Sequence, residues 1–213
     1  MPSRLAPYLT DLPLVAILRG LRPDDAVAVG QELAEAGFRI IEVPLNSPQP
    51  LESIARLAEA LPQDVLVGAG TVLDPADVAR IRDAGGRLIV MPHGDVEVIA
   101  RAAELELFCT PGVASPTEAF AALKAGADGL KMFPAEALPP PVVKAWRAVL
   151  PKDTLLIPVG GIKPETMKPF LEAGANGFGL GSALFTPSMS PKEVGAAAQR
   201  FAESWRALAA ARG

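Results

Sequence analysis

The stretch "EAGFRIIEV", residues 35–43, has the pattern of a helix end, a glycine turn and a buried strand. Glycine suits the position just past a helix because it tolerates positive φ, and the apolar run after it is typical of a strand. The pattern occurs three more times, as "DAGGRLIVM" at 83–91, "KAGADGLKM" at 124–132 and "EAGANGFGL" at 172–180. The copies start 41 to 48 residues apart, which leaves room for two strand-and-helix units in each interval. The repeat therefore predicts that strands and helices alternate along the chain.

Short apolar segments supply a full set of eight strands. They are "LVAILRG" (14–20), "IIEVPL" (40–45), "VLVGAG" (65–70), "LIVMP" (88–92), "LFCTPG" (107–112), "DGLKMFP" (128–134), "LLIPVGG" (155–161) and "NGFGLGS" (176–182). Nearly continuous apolar strands fit a parallel sheet that helices cover on its outer face. We therefore predict an α/β fold with one domain, residues 1–213, that forms a single (β/α)8 TIM barrel. An open doubly wound sheet is the alternative, because periodicity does not reveal closure.

Composition excludes several classes of partner. Half of the 213 residues are hydrophobic, and a formal net charge of −4 gives no basic surface of the kind that nucleic acid binding needs. No apolar run approaches the roughly 18 residues of a membrane span, and the N-terminus lacks the apolar core of a signal peptide. We therefore expect a soluble, cytoplasmic protein with neither a nucleic acid nor a membrane partner. With one cysteine, Cys109, and one histidine, His93, we expect no disulfide framework and no bound metal.

Candidate functional residues follow from the predicted fold. In a barrel of this kind they lie at the carboxyl ends of the strands and in the loops that follow. Those ends carry unusual residues here, whereas the opposite ends are Ala-Gly turns. The candidates are Arg19, Glu42, Asn46, Thr71, Lys131, Gly160, Gly161, Gly181 and Ser182.

Lys131 is the only lysine that falls inside a predicted strand, and Glu42 is the only acidic residue well inside one. A lysine in the wall could keep its ammonium group in solvent, but desolvation lowers a lysine's pKa and lets the neutral amine attack a carbonyl. The second and sixth strands face each other across an eight-stranded barrel, so we expect both side chains at its mouth. A structural ion pair is the alternative, although buried pairs add little net stability. We favour a Schiff-base lysine with a carboxylate that transfers protons.

Two glycine-rich segments, "PVGGIKPE" and "GLGSALF", follow the seventh and eighth predicted strands. At these positions barrels commonly bind phosphate through backbone N–H groups and a helix N-terminus. Tight turns also use glycine, so each segment alone is a weak signal. Together they predict a phosphate site at Gly160, Gly161, Gly181 and Ser182.

Arg19 and Thr71 are candidates for binding a substrate carboxylate. The planar guanidinium of Arg19 matches a carboxylate, and the hydroxyl of Thr71 can donate to the same group. The alternatives are that Arg19 packs on the barrel rim and that Thr71 caps the next helix. We interpret His93 as a loop residue and Cys109 as a small core residue.

The pieces together resemble the bacterial class I aldolases that cleave 2-dehydro-3-deoxy-6-phosphosugar acids into pyruvate and glyceraldehyde 3-phosphate. The matching stretches, in order, are "LVAILRG", "IEVPLNSP", "VGAGTVLDP", "PGVASPTEAF", "LKMFPAE", "VGGIKPE" and "GLGSALF". The resemblance implies that Lys131 forms a Schiff base, that Glu42 is the acid/base, and that the two glycine segments bind phosphate. It also implies chemistry without a cofactor, and a homotrimer.

The resemblance extends to the choice of substrate epimer. Gluconate-specific members tend to read "EVTLRT" after the second strand and to have Thr before the double glycine, whereas this chain has Asn46 and Val159. Both departures favour the galactonate branch, with Val159 as a specificity residue. The resemblance also implies that Asn46 stands in place of an arginine at the carboxylate and keto-acid site, where we expect Arg19 to supply the charge. The gluconate epimer as main substrate is one alternative. A phosphate-binding barrel that isomerises or only binds a phosphosugar is another, because fold does not fix function.

Overall fold

The computed structural model describes residues 3–211, in which strands and helices alternate. The strands are β1 (Leu14–Ile17), β2 (Ile40–Pro44), β3 (Leu66–Gly70), β4 (Leu88–Val90), β5 (Phe108–Thr110), β6 (Gly112–Val113), β7 (Leu130–Met132), β8 (Leu156–Pro158) and β9 (Phe178–Leu180). The helices are α1 (Pro23–Ala36), α2 (Pro50–Ala60), α3 (Pro75–Asp83), α4 (Val96–Glu104), α5 (Pro116–Ala125), α6 (Pro140–Arg147), α7 (Met167–Glu172) and α8 (Pro191–Ala210), with short 3-10 helices at Ala6–Leu9 and Pro164–Thr166. Every predicted strand is present, although each is shorter than predicted.

The strands form two parallel sheets. One has the order β5-β4-β3-β2-β1-β9 and the other the order β6-β7-β8. Pro111 separates β5 from β6, so the fifth predicted strand is divided, since proline has no N–H to donate to a ladder. On the other side an isolated parallel bridge joins Val159, just after β8, to Gly179 in β9. The parallel α/β fold is confirmed, whereas the single closed barrel stays a prediction because the strands form two separate sheets.

The helices begin and end at the signals in the sequence. Most begin on a proline, which fits the first turn because its missing N–H would have no partner there. Ser115 and Ser190 cap α5 and α8, each in reciprocal hydrogen bonds with the glutamate three residues on. The glycines of the repeat all have positive φ, at Gly37, Gly85, Gly126 and Gly174. The repeat is therefore a joint between a helix and a strand, as predicted.

Alternate residues of each strand face two hydrophobic clusters. On β7, Leu130 and Met132 belong to the outer cluster, between the sheets and the helices. The inner cluster is formed by Leu5, Leu9, Val15, Ile17, Ile40, Leu66, Leu88, Val90, Ile157 and Val159. Within residues 3–211, Glu42 and Lys131 are the only charged residues that are buried. The inner side of the sheets is therefore apolar apart from these two charges and a few hydroxyl groups.

The segment before β1 closes the amino-terminal end of this interior. Leu5 is fully buried, and Arg4 pairs with Asp128 at 3.0 Å and lies over the Phe108 ring, 5.1 Å from its centroid. Arg4 also donates to the carbonyl of Leu107, just before β5. Because Leu107 and Asp128 precede β5 and β7, the segment is fixed at the end of the strands that is opposite to the predicted site. In the part of the chain that the structure describes, no helix combines the length and apolarity needed to cross a membrane.

Candidate active site

Lys131 lies at the centre of β7 and points inward. Lys131 is 7% exposed, and its Nζ lies 5.0 Å from the centroid of the Phe133 ring. Burial lowers the pKa of Lys131; the charge of Glu42 opposes this, and the charge of Arg19 adds to it. Because attack on a carbonyl needs the neutral amine, this environment favours a nucleophilic lysine.

Glu42 lies in β2 and is 1% exposed. Its Oε2 has no hydrogen-bond partner among residues 3–211. Burial raises the pKa of Glu42 from 4.5 to about 6, although the charges of Lys131 and Arg19 act to lower it. A carboxyl group with a pKa in this range can both accept and release a proton near neutral pH.

Glu42 and Lys131 line one small cavity of about 20 Å³, together with Thr110. The structure thus brings together the two residues that the sequence predicted to face each other. A space of this size is enough for about one water molecule, and Glu42, Thr110 and Lys131 are its polar lining residues among apolar ones. The pair therefore combines a buried amine with a lowered pKa, a buried carboxyl group with a raised pKa and space for one water molecule.

Arg19, Asn46 and Thr71 form a second cluster at the carboxyl ends of β1, β2 and β3. The Arg19 guanidinium donates to Oδ1 of Asn46 at 2.6 Å and to Oγ1 of Thr71 at 3.5 Å. Thr71 has a φ of 55°, a left-handed conformation that costs a threonine energy and that clusters at functional sites. The alternative role for Thr71 is wrong, because Asp74 caps α3. Three predicted residues are thus linked directly, with the guanidinium at the centre.

The glycine segments lie at the same mouth. Gly160 and Gly161 follow β8 with φ of 118° and 62°, and a Cβ built on Gly181 would meet no atom within 4 Å. These glycines line a cavity of about 470 Å³ that also includes Arg19, Thr71, Lys131, Val159 and Ser182. Lys131 and Val159 line this cavity and the small one below it. All of the predicted residues therefore lie at one site, with Glu42 in its deepest part and Asn46 reaching it through Arg19.

Two contacts at or beside the site were not predicted. Glu136 lies against the double glycine, because a Cβ on Gly160 would overlap its Oε2 and one on Gly161 would lie 3.1 Å from its Oε1. Ser47 accepts a hydrogen bond from the N–H of Gly20 at 2.9 Å, which ties the end of β1 to the loop after β2. Glu136 stands in the matching stretch "LKMFPAE", but nothing in the sequence shows that it folds back over a segment more than twenty residues later.

The remaining candidates lie where the sequence predicted. His93 is in the loop after β4, with its side chain about half exposed. Cys109 is buried in β5, and burial raises its thiol pKa, so it packs as a small core residue. In the described range 3–211, no group of three or more His, Cys, Asp and Glu side chains could hold a metal ion.

The chain is similar to known aldolases over nearly its whole length. The family described as "Aldolase: KDPG and KHG aldolase" matches residues 6–198. A "Probable 2-dehydro-3-deoxy-6-phosphogalactonate aldolase" from Rhizobium meliloti (strain 1021) is 48% identical over 85% of this chain and 86% of its own. The "2-dehydro-3-deoxy-6-phosphogalactonate aldolase" of Escherichia coli (strain K12) is 44% identical over 93% of this chain and 97% of its own.

A solved structure agrees with the sequence comparison. The "Native KDPGal structure" superposes with a TM-score of 0.92 at 43% identity, over 94% of this chain and 98% of that one. The family match over residues 6–198 spans every strand and every residue of the site described above. This chain belongs to the KDPG and KHG aldolase family, and it is an aldolase.

Proposed function

We propose that this aldolase cleaves 2-dehydro-3-deoxy-6-phosphogalactonate into pyruvate and D-glyceraldehyde 3-phosphate through a Schiff base on Lys131. The observation that carries the proposal is the buried pair: Lys131 and Glu42 share one cavity, and each has a pKa shifted toward its neutral form. The names of the two relatives support the substrate.

The residues of the site account for each step. The neutral amine of Lys131 attacks the C2 ketone, and loss of water from the carbinolamine leaves a protonated imine. Glu42 takes the proton of the C4 hydroxyl, directly or through a water molecule, and the C3–C4 bond breaks with its electron pair moving into an enamine. The aldehyde leaves, Glu42 returns the proton to C3, and hydrolysis of the imine releases pyruvate and frees Lys131.

Substrate binding divides between the two ends of the larger cavity. Arg19 and Thr71 bind the C1 carboxylate, since a guanidinium can pair with it in a bidentate way and already holds the threonine hydroxyl in place. The backbone N–H groups around Gly160, Gly161, Gly181 and Ser182 bind the phosphate. Asn46 fixes the orientation of Arg19 through the hydrogen bond of 2.6 Å.

The galactonate epimer is favoured by the residue beside the reacting carbons. Val159 lines both cavities and offers no hydroxyl to the substrate, whereas gluconate-specific members tend to carry a threonine there. The gluconate epimer as main substrate is the alternative. Comparison of kcat/KM for the two epimers with purified protein distinguishes them, and a higher value for the gluconate epimer would reverse the assignment.

We also propose the larger organisation of the molecule. The two sheets form one closed barrel of eight strands, since Pro111 alone separates them on one side and the Val159–Gly179 bridge spans the other. The protein is a cytoplasmic homotrimer, in which subunit contacts would cover exposed apolar side chains such as Leu73 and Phe120. Light scattering of the purified protein tests the trimer, and a monomer mass at micromolar concentration would exclude it.

One experiment tests the chemistry directly. The protein is incubated with pyruvate and borohydride, digested and weighed by mass spectrometry. The Schiff base predicts one irreversible adduct, on Lys131, and none in Lys131→Ala. The absence of any adduct in the wild-type protein would exclude the Schiff base on Lys131 from the proposed mechanism.

A further inference from the structure

We propose that Gly70 is a positioning residue for proton transfer, because its missing side chain creates the space that the Glu42 carboxylate occupies. Gly70 is the last residue of β3, next to β2, and its own backbone is an ordinary part of the strand. A Cβ built on Gly70 would overlap Oε2 of Glu42 and lie 2.8 Å from Oε1. The three atoms nearest to such a Cβ all belong to this one carboxyl group.

The register of the strands explains the contact. Glu42 pairs with Gly68, and Pro44 pairs with Gly70. Side chains at alternate positions share one face, so Glu42, Gly68 and Gly70 all face the interior. The side chain of Glu42 therefore extends toward the mouth and crosses β3 at Gly70, one inward position beyond its own partner.

Gly68 has a different role from Gly70, because the atoms that a side chain would meet there belong to the neighbouring strand. A Cβ on Gly68 would overlap the backbone carbonyl oxygen of Leu88, so this glycine lets the strands approach each other. At Gly70 the obstacle is the end of one side chain. Alanine at position 70 is therefore compatible with the strand but incompatible with the present position of the carboxylate.

The displaced carboxylate would have one main direction to move in. Glu42 is enclosed by inward residues of the sheets, and the small cavity that it shares with Lys131 and Thr110 is the adjacent space. A carboxylate pushed into that space would fill the place for a water molecule and move away from its present position beside β3. The nucleophile would still be present, but the proton carrier would be misplaced relative to the substrate carbons.

The inference rests on the proposed function. Two half-reactions of pyruvate allow the inference and the proposed function to be tested separately. Trapping of pyruvate by borohydride reports Schiff-base formation, which needs Lys131. Exchange of the pyruvate methyl protons with deuterium reports breakage of a C–H bond, in which the proton passes to Glu42 and the electron pair forms the enamine. Gly70→Ala should leave the trapped fraction at saturating pyruvate within about twofold of wild type, while the exchange rate falls at least about tenfold.

A matched control is available at the same mouth. Gly94 lies in the loop after β4, and a Cβ there would meet nothing nearer than 3.5 Å, an ordinary contact. Gly94→Ala should therefore keep both the trapped fraction and the exchange rate close to wild type. An unchanged exchange rate in Gly70→Ala would overturn the proposal.

A stability cycle decides the matter even if Gly70→Ala folds poorly. In the wild-type background the overlap should lower Tm by roughly 2–10 °C. In a Glu42→Ala background the obstructing carboxyl group is gone, so Gly70→Ala should leave Tm unchanged or raise it, and should cause no further loss of exchange. Equal losses of Tm in the two backgrounds would show that Gly70 acts through the backbone and would refute the proposal. If wild-type protein forms no pyruvate adduct, the proposed function fails, but the Tm cycle still tests the link between Gly70 and Glu42.

Discussion

Replacing Glu42 with glutamine should stabilise the folded protein at neutral pH while it removes the proton carrier. In the folded protein burial raises the pKa of this carboxyl from 4.5 to about 6. That difference corresponds to about 2 kcal/mol of folding free energy. Below pH 4.5 the carboxyl is protonated in both states and costs nothing. As the pH rises from 4.5 through 6, the unfolded chain ionises first, so stability is lost across this window and stays low above it.

Glutamine does not ionise, so the difference between the two proteins should depend on pH. We expect the free energy of unfolding of Glu42→Gln, relative to wild type, to rise by about 1 kcal/mol between pH 5 and pH 8. The measurement is urea unfolding of both proteins at pH 5, 6, 7 and 8, where the change of fluorescence gives each midpoint and slope. In the same variant the rate of cleavage should fall by about 10²–10⁴-fold.

An exposed glutamate provides the control. Glu203 lies on the surface of α8, and Glu203→Gln should show no comparable dependence on pH. If the difference between Glu42→Gln and wild type were constant from pH 5 to pH 8, Glu42 would ionise as easily in the folded protein as in the unfolded chain. The desolvation of the carboxyl, and with it the reason for its role as a proton carrier near neutral pH, would then be refuted.

Three further substitutions test the other parts of the site. Lys131→Ala should abolish cleavage and pyruvate trapping without lowering Tm, because it removes a buried amine that is costly to desolvate; turnover measured in this variant would exclude the Schiff base. Ser182→Glu should raise KM for the phosphorylated substrate by at least about tenfold, because a carboxylate would repel the phosphate. The rate of methyl exchange of pyruvate should stay within about twofold of wild type. Equal losses in both activities would show that the glycine segments do not bind the phosphate. Glu136→Gln should lower KM by about twofold to fivefold, since it removes a negative charge beside Gly160 and Gly161; an unchanged KM at low salt would place the phosphate elsewhere.

The centre of the site could be predicted because burial makes charged residues conspicuous in a sequence. Lys131 and Glu42 interrupt strands that are otherwise apolar, and an ionisable group in such a position needs a partner or a function. The four Ala-Gly joints then predicted the order of the strands. In a barrel with that order, the second and sixth predicted strands face the same interior. The conclusion required no contact information beyond the parallel order of the strands.

Contacts between distant segments could not be predicted in the same way. The fold of Glu136 over the double glycine, the hydrogen bond from Arg19 to Asn46 and the burial of Leu5 depend on how loops are placed in space. Periodicity describes what one element buries, but it does not specify which side chain covers which loop. The break at Pro111 was visible as a proline, yet only the ladder shows that it divides a strand.

Leu5 and Leu9 belong to the inner cluster, so the residues ahead of β1 cover the end of the interior that lies away from the site. In the proposed reaction, a substrate reaches Lys131 from the larger cavity at the carboxyl ends of the strands. In that reaction the aldehyde is free once the C3–C4 bond breaks, whereas the pyruvate half is still bound to Lys131, so the aldehyde leaves first. Because the segment ahead of β1 covers the amino-terminal end of the interior, both products would leave on the side of the larger cavity.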